Sequence, residues 1–371
     1  MKNRPLTHIL LIALIIILLF AGSLKNGFVW DDKHLIVDNP YIKSWQKLPS
    51  IFNNNLYEGS KMDSNYYRPF QIVSYFVDYS IWQMNPFGYH LTNLLLHIFN
   101  SILVYLILFT ISSCPILSFL VAIFFGTSAC ISMVTFYIAS RADLLMAFFM
   151  LLSYFLFSKY IKTRRIFLYV FSIGSFALSL LCREMAIILP AFLILELLRR
   201  GEKIRNRYKL FLPYVLILSL YSILRVSVLN FSIGSNPLID HSYTALVPLW
   251  QRILTDFMVI VEYLKLLLFP YALHMVRFTS PASSIFELNV VFSIALVALF
   301  IIAVKKLSRV SKLALFGAGW FFIGLLPVLN IYPVATFLHE GWLYVPSIGF
   351  FIICAVFIKH IMREKIGVKL G

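Results

Sequence analysis

Charged residues are scarce in this sequence. Only 13% of the 371 residues are charged, whereas a soluble domain carries about 25%. This shortage excludes an ordinary soluble enzyme, a disordered chain and a coiled coil. Cysteine is also rare, and the four present, Cys114, Cys130, Cys182 and Cys354, form no CxxC motif. The sequence therefore indicates neither a disulfide framework nor a cysteine-based metal site.

Several familiar catalytic signatures are missing as well. The sequence contains no Walker motif, no GxSxG, no HExxH and no GxGxxG. ATP-driven chemistry and zinc proteolysis of the usual kinds are therefore unsupported. Internal repeats and low-complexity segments are also lacking, so we expect one domain over residues 1–371.

Apolar residues are abundant and lie in long continuous runs. They make up 60% of the chain, and the mean hydropathy is +0.86. The runs do not alternate at period two, which excludes a transmembrane barrel. Most approach the roughly 20 residues that a helix needs to span a bilayer. The sequence therefore predicts an all-α polytopic membrane protein, with apolar runs at 6–24, 90–112, 115–138, 143–161, 166–182, 185–198, 210–229, 251–270, 285–304, 313–330 and 342–358.

The basic residues predict the orientation in the membrane. Lys and Arg number 32 against 16 acidic residues, giving a net charge of +16. Many of them fall in five clusters, which the positive-inside tendency places in the cytoplasm together with both termini. Most acidic residues lie in the opposite connections, so the charge indicates topology and not nucleic-acid binding. The basic clusters are at 2–4, 159–165, 199–209, 305–312 and 359–369.

Two apolar runs need separate interpretation. The run at 6–24 is longer than the core of a usual signal peptide and lacks a clear cleavage site, so we expect an uncleaved first helix. The run at 251–270 contains Arg252, Asp256, Glu262 and Lys265, and such charges are expensive in lipid. We expect it to lie along the outer interface or to re-enter, which leaves about ten spanning helices.

The longest connection is the outer loop at residues 25–89. It is rich in aromatic residues and carries charges of both signs. Pro69 precedes an amphipathic run from Phe70 to Trp82, and proline suits the first turn of a helix. The aromatic content predicts a helix at the membrane interface within this loop.

The pair Asp31-Asp32 directly follows the first apolar run. Two adjacent carboxylates near a low-dielectric boundary can have raised pKa values through desolvation and mutual repulsion. A carboxylate in that position can act as a general base on a hydroxyl group. The alternative is a solvated pair, or one aspartate that caps a short helix.

Two further outer-face motifs combine arginine with a carboxylate. Arg141 and Asp143 begin one apolar run, and Arg183 and Glu184 precede another. An arginine fork matches the oxygens of a phosphate group. The alternatives are a carboxylate that interacts with a helix dipole and a solvated ion pair.

Two further polar motifs contain histidine. His90, Asn93 and His97 share one helix face, where hydrogen bonding between helices is favoured over a zinc site. His339 and Glu340 lie in the last outer loop, ahead of an aromatic segment. That segment fits either an interfacial aromatic belt or an outer cavity that contains Glu340.

Six of these motifs occur in an order that resembles the membrane half of the transmembrane and tetratricopeptide-repeat O-mannosyltransferases and their prokaryotic relatives, within the GT-C glycosyltransferase superfamily. The match covers nearly the whole chain, and the motifs are specific as a set and not singly. They are Phe28-Val29-Trp30-Asp31-Asp32, Tyr67-Arg68-Pro69, Tyr89 to His97, Arg141-Ala142-Asp143, Cys182-Arg183-Glu184, and Glu340 followed by Leu343 to Gly349.

The resemblance implies a GT-C fold and transfer of a sugar, such as mannose, from a polyprenyl- or dolichyl-phosphate donor on the non-cytoplasmic face. The carboxylate after the first helix is then the catalytic base, at Asp31 or Asp32, with Asp31 preferred. Other matching positions suit the donor phosphate or sugar. These are Arg68, Arg141, Asp143, Arg183 and Glu184, with His90, Asn93, His339 and Glu340 as candidates for the outer cavity.

The sequence departs from the family pattern in two ways. Gly341 stands where the family usually has arginine after the glutamate, which puts a Glu–Arg pair in doubt. The tetratricopeptide repeats are missing, so the acceptor, a protein or a glycan, stays open. No carboxylate-rich cage is evident, so we expect no metal or other cofactor, with a divalent cation left open.

Two other functions compete with glycosyl transfer. A transporter or flippase of a lipid-linked sugar would handle the same lipid, but transporters tend to have ionisable groups near the midplane. Here the acidic residues cluster at one face. A non-catalytic relative that binds lipid is the third possibility, and the departures from the family pattern keep it open.

Overall fold

The computed structural model describes residues 4–228 and 243–366, and this part of the chain is mainly helical. Positions 2, 229 and 369, which belong to segments predicted above, lie outside the described residues. The helices are α1 (Arg4–Phe20), α2 (Leu48–Asn53), α3 (Pro69–Trp82), α4 (Pro86–Ser112), α5 (Pro115–Thr127), α6 (Met133–Phe136), α7 (Arg141–Thr163), α8 (Ile166–Cys182), α9 (Leu189–Arg199), α10 (Leu212–Ile223), α11 (Leu249–Leu268), α12 (Leu288–Ser308), α13 (Leu313–Leu325) and α14 (Pro346–Ile366).

Several segments are long and apolar enough to cross a bilayer. Among the described residues there are six, or seven if α5 and the segment Ala129–Phe136, bent by 52°, form one span. They confirm a polytopic membrane protein. The predicted number of about ten spans is larger, because the runs at 166–182, 185–198 and 313–330 form helices shorter than 18 residues. In the run at 185–198, a 3₁₀-helix over Glu184–Ile188 replaces the first part of the α-helix.

The outer surface of the bundle is apolar, as a bilayer requires. In α1, Leu10, Leu14 and Leu18 are all exposed, at spacings of four residues. Exposed leucine, isoleucine and phenylalanine side chains also cover much of α12. Continuous apolar surface of this extent is rare on soluble monomers. Since the helices satisfy their own backbone hydrogen bonds, they can present these side chains to lipid.

Two helix pairs organise the interior. The first pair, α7 and α8, packs along its length, and the second consists of α13 and α14. Trp320 of α13 is buried and stacks on Phe192 of α9, with ring centroids 4.1 Å apart. This aromatic contact therefore joins α13 to α9 in the interior of the bundle.

The loop at 25–89 is folded. It contains α2 and α3 and has an apolar cluster of its own, which includes Leu35, Ile42 and Phe76. Helix α3 begins at Pro69, where the sequence predicts it, and packs against α4 and α8. The loop therefore forms a layer over one end of the bundle.

The charged run at 251–270 forms α11, which ends before Pro270. Its charges exclude it from the helices counted above as able to span. Near its start, Arg252 donates to the carbonyl of Asn330 over 2.8 Å. The chain then forms a short antiparallel pair between Val276–Arg277 (β1) and Leu338–His339 (β2). The position of α11 along the interface stays a prediction.

Candidate functional site

The candidate residues gather at one end of the helix bundle. The chain turns back at each connection, so the starts of α4, α7 and α14 and the end of α8 lie at the same end. The folded loop at 25–89 contacts that end through α3. The predicted site residues come from these helix ends and from the loops that join them.

Asp31 and Asp32 point in different directions. The preceding residue, Trp30, adopts a left-handed backbone conformation with a φ of 47°. This conformation is unfavourable for a bulky residue and is found where the surrounding structure enforces it. Beyond it, the Asp31 side chain is exposed and the Asp32 side chain is fully buried.

The Asp32 carboxylate fixes the loop to the segment before α7. Its two oxygens accept hydrogen bonds from the backbone N–H of Val29, over 3.0 Å, and of Ala139, over 2.9 Å. Burial raises the pKa of Asp32 to about 6, although these two hydrogen bonds act in the opposite direction. Since both oxygens are already bound, Asp32 has a positioning role in this structure.

The Asp31 carboxylate lies beside two tyrosines. The hydroxyl groups of Tyr57 and Tyr137 are close enough to its side chain to interact with it. The backbone N–H of Asp31 also donates to the Tyr137 hydroxyl over 3.1 Å. The indole of Trp30 packs edge-on against the Tyr137 ring, with centroids 5.8 Å apart. Asp31 is therefore an oriented carboxylate that stays open to solvent.

Arg68 and Glu184 form a bidentate ion pair between the outer loop and the segment after α8. The two contacts measure 2.7 Å and 3.2 Å. The Arg68 guanidinium also lies over the Tyr66 ring, 4.4 Å from its centroid. Burial raises the pKa of Glu184, but the charges of Arg68 and Arg183 outweigh it and lower the pKa to about 2. Glu184 is therefore ionised at neutral pH and orients Arg68.

Arg183 and Asp143 form a second ion pair, between the end of α8 and the start of α7. The Nε of Arg183 is buried and has no hydrogen-bond partner in the described part of the chain. Burial and the nearby charge of Arg183 lower the pKa of His339 to about 4, so this histidine is neutral at neutral pH. Arg183 thus has a donor group that its ion pair with Asp143 does not use.

Arg141 is fully buried, and all its donor groups contact protein. It pairs with Asp78 of α3 and donates to Asn93 Oδ1 over 2.8 Å and to the carbonyl of Tyr89 over 2.6 Å. Its guanidinium also lies 4.8 Å from the Tyr75 ring centroid. The arginine therefore joins α3, α4 and α7. Sequence reasoning missed Asp78, whose only signal was a single acidic residue in an otherwise uncharged amphipathic helix.

The polar face of α4 makes hydrogen bonds to neighbouring segments. Asn93 Nδ2 donates to the carbonyl of Tyr137 over 3.1 Å. Deeper in the bundle, the ring nitrogens of His97 lie 2.8 Å from the Tyr344 hydroxyl and 3.1 Å from the carbonyl of Gly126. The predicted hydrogen bonding between helices is confirmed for His97, through Gly126 of α5, and for Asn93, through Arg141 of α7. His90 is buried beside the backbone of Gly27.

Glu340 forms an ion pair with an arginine that the sequence pattern does not reveal. Its Oε1 lies 2.9 Å from Nε of Arg277, which belongs to β1. The same oxygen accepts the backbone N–H of His274 over 2.9 Å. Gly341 offers no side chain, and its N–H donates to Nδ1 of His339 over 3.1 Å. A Glu–Arg pair therefore exists here, with the arginine supplied from 63 residues away.

A polar cavity adjoins the pair formed by Glu340 and Arg277. Its volume is about 490 Å³, and it lies between α11 and α12. Its lining includes Glu262, Lys265, Arg277, Ser280 and Asn289. In residues 4–228 and 243–366, no three histidine, cysteine or acidic side chains converge as a metal site would require. The expectation of a metal-independent protein stays a prediction.

The predicted residues thus form an outer and an inner group. Asp31, Arg68 and Arg183 have side chains that reach the surface at least in part. Asp32, Arg141 and Asn93 lie beneath them and hold the segments together. The site also uses Tyr57, Tyr137, Asp78 and Arg277, which sequence reasoning did not single out.

Comparison with known proteins gives a consistent result. No protein-family model matches the chain. A protein O-mannosyl-transferase of Caenorhabditis elegans is 24% identical over 372 residues, which covers 97% of this chain and 52% of the relative. The protein O-mannosyl-transferase TMTC4 of Mus musculus is 31% identical over 163 residues, covering 39% of this chain and 22% of the relative. The chain thus spans at most about half the length of these relatives.

A solved structure shows the same fold. ArnT from Cupriavidus metallidurans, crystallised with undecaprenyl phosphate, aligns with a TM-score of 0.57 at 12% identity. The alignment covers 99% of this chain and 62% of ArnT. The chain therefore has a GT-C fold and resembles the protein O-mannosyltransferases along nearly its whole length.

Proposed function

We propose that this protein transfers a sugar, mannose or another hexose, from a polyprenyl-phosphate donor to a hydroxyl acceptor on the non-cytoplasmic face. One observation carries the proposal: Asp31 is an exposed carboxylate, flanked by two tyrosines, at the end of a GT-C fold where Arg68 and Arg183 also lie. The names of the relatives support mannose as the sugar. The structure of ArnT bound to undecaprenyl phosphate supports a polyprenyl phosphate as the lipid carrier.

Asp31 fits the role of general base better than Asp32. A base must reach the acceptor hydroxyl within about 3 Å, so its carboxylate must be accessible. Asp31 is exposed, whereas both oxygens of Asp32 are occupied by backbone N–H groups. We therefore assign the proton-accepting step to Asp31 and the positioning of its loop to Asp32.

The leaving phosphate needs a cation to stabilise its developing charge. Arg183 is the best candidate, because its Nε has no partner in the described residues and its side chain is 13% exposed. Arg68 is 11% exposed and bound to Glu184 on one edge. Arg141 is fully enclosed by its own partners, so we assign it a positioning role.

Reconstituted protein and a labelled mannosyl-phosphoryl-polyprenol test this proposal. Removing a general base typically lowers turnover about 10²- to 10⁴-fold, which is the loss expected for Asp31→Asn. Asp63→Asn, an exposed carboxylate in the same loop, is the matched control and should keep wild-type turnover. The melting temperature of each variant verifies that it is folded. A chelator should leave turnover unchanged if the enzyme is metal-independent.

The acceptor is identified in the same assay by separating products. Label released as free sugar indicates hydrolysis, whereas label on a serine- or threonine-containing peptide or on a glycan identifies the acceptor class. Wild-type turnover that survives Asp31→Asn would overturn the role of Asp31. Folded wild-type protein that binds the donor without turnover would instead indicate a non-catalytic relative. Movement of the intact donor across vesicles would favour the flippase.

A further inference from the structure

A basic cavity lies at the opposite end of the bundle from Asp31. Its volume is about 370 Å³, and its lining includes Arg199, Lys312, Lys359 and Arg363. These residues come from the end of α9, the connection between α12 and α13, and the end of α14. Helix α4 runs from the candidate site to this cavity, and its 27 residues span about 40 Å. The cavity is therefore separate from the proposed active site.

The cavity carries uncompensated positive charge. No aspartate or glutamate lines it. Arg199 pairs with Glu196, which also pairs with Arg200, and Lys359 Nζ lies 3.2 Å from Sγ of Cys114. Lys312 and Arg363 are exposed, and neither forms an ion pair within the described residues. The site is suited to an anion such as a phosphate group.

An apolar groove continues from this cavity. It has a volume of about 650 Å³ and runs between α12 and α14, past Phe300, Val304 and Phe357. Val310 and His360 line both the groove and the cavity. Residues 350–360 extend about 15 Å along α14, which is half the thickness of a bilayer's hydrocarbon core.

The positive-inside tendency explains why basic residues are numerous at this end. It does not explain why four of them surround one cavity, or why that cavity opens into an apolar groove one leaflet deep. A charged pocket joined to an apolar groove matches the charged headgroup and the apolar acyl chain of a lipid. We propose that an anionic phospholipid binds here, with its phosphate in the basic cavity and an acyl chain in the groove.

Lipid binding to the purified protein in detergent tests the proposal without any activity assay. Phosphatidylglycerol, phosphatidylcholine and inorganic phosphate are titrated separately, and bound lipid is counted by native mass spectrometry. We expect phosphatidylglycerol to bind and to raise the melting temperature more than phosphatidylcholine does. The double variant Lys312→Glu with Arg363→Glu should bind phosphatidylglycerol at least about tenfold more weakly.

Two further variants test whether a loss of phosphatidylglycerol binding comes from the cavity and the groove or from surface charge in general. Lys162→Glu with Arg165→Glu reverses two exposed charges outside the cavity and should leave binding unchanged. Ala303→Trp fills the groove and should weaken phosphatidylglycerol without changing the response to phosphate. Equal stabilisation by inorganic phosphate, equal binding of the two lipids, or an equal loss in the control double variant would each overturn the proposal.

Discussion

Asp31 and Asp32 are neighbours in sequence, but their carboxylates have different surroundings. One is exposed and lies beside tyrosine hydroxyls, and the other is buried and bound by backbone N–H groups. The left-handed conformation at Trp30 precedes this divergence. The local backbone thus gives two identical side chains different surroundings, which is the basis for the different roles proposed for them.

The titration of Asp32 predicts a specific pH dependence of stability. Its pKa is raised from 3.8 to about 6, so the folded state binds the proton more tightly than the unfolded state. The contribution of Asp32 to the free energy of unfolding therefore falls as the pH rises from about 4 to about 6. Relative to Asp32→Asn, the wild type should lose about 2–3 kcal/mol over this range.

Thermal or denaturant unfolding in detergent at a series of pH values measures this difference. The Asp63→Asn variant is the control, because it removes an exposed carboxylate from the same loop. A constant difference between wild type and Asp32→Asn from pH 4 to pH 7 would show that Asp32 does not titrate in this way.

At the scale of elements, glycines determine how closely α13 and α14 approach. A Cβ atom built on Gly349 would lie 2.3 Å from the carbonyl oxygen of Gly317, and one built on Gly317 would lie 2.7 Å from that of Gly349. Small residues permit such close backbone contact between membrane helices. Gly349 belongs to one of the motifs that carry the family resemblance, and this crossing gives it a physical role.

Gly349→Ala should therefore destabilise the protein. Because its Cβ would meet backbone atoms, the two helices must separate, and overpacking of this kind typically costs about 1–3 kcal/mol. Gly174→Ala in α8 is the matched control, since nothing lies within 4 Å of its Cβ position. Unfolding in detergent should show a clear loss for the first variant and none for the second. Equal stability of the two would contradict the close crossing.

For the whole molecule, the proposed site and the basic cavity lie at opposite ends of the bundle, so they should face opposite sides of the membrane. The native cysteines offer little background for labelling, because three of the four are buried. With a membrane-impermeant maleimide on intact cells, Lys61→Cys should be labelled directly. Lys312→Cys should be labelled only after the membrane is permeabilised.

The reverse pattern would place the proposed site in the cytoplasm. Labelling of both positions from one side would contradict the separation of the two ends. Treatment of permeabilised cells controls for access, because both introduced cysteines replace exposed lysines.

Local sequence features predicted much of the architecture. Long apolar runs required helices in a membrane, and Pro69 located the start of α3. The 3₁₀-helix over Glu184–Ile188 was not predictable from hydropathy, because an apolar residue has the same hydropathy in a 3₁₀-helix as in an α-helix. This is one reason why the number of segments long enough to span is smaller than the number of apolar runs suggests.

The sequence alone determined the helical class and the grouping of candidate residues at one end, since both depend on short-range patterns of apolar and charged residues. Tertiary structure decided which aspartate is accessible, because the N–H group that binds Asp32 belongs to Ala139, 107 residues away. It also paired Glu340 with Arg277 and enclosed Arg141 with Asp78. Such partners are chosen by the packing of distant segments, which no local pattern records.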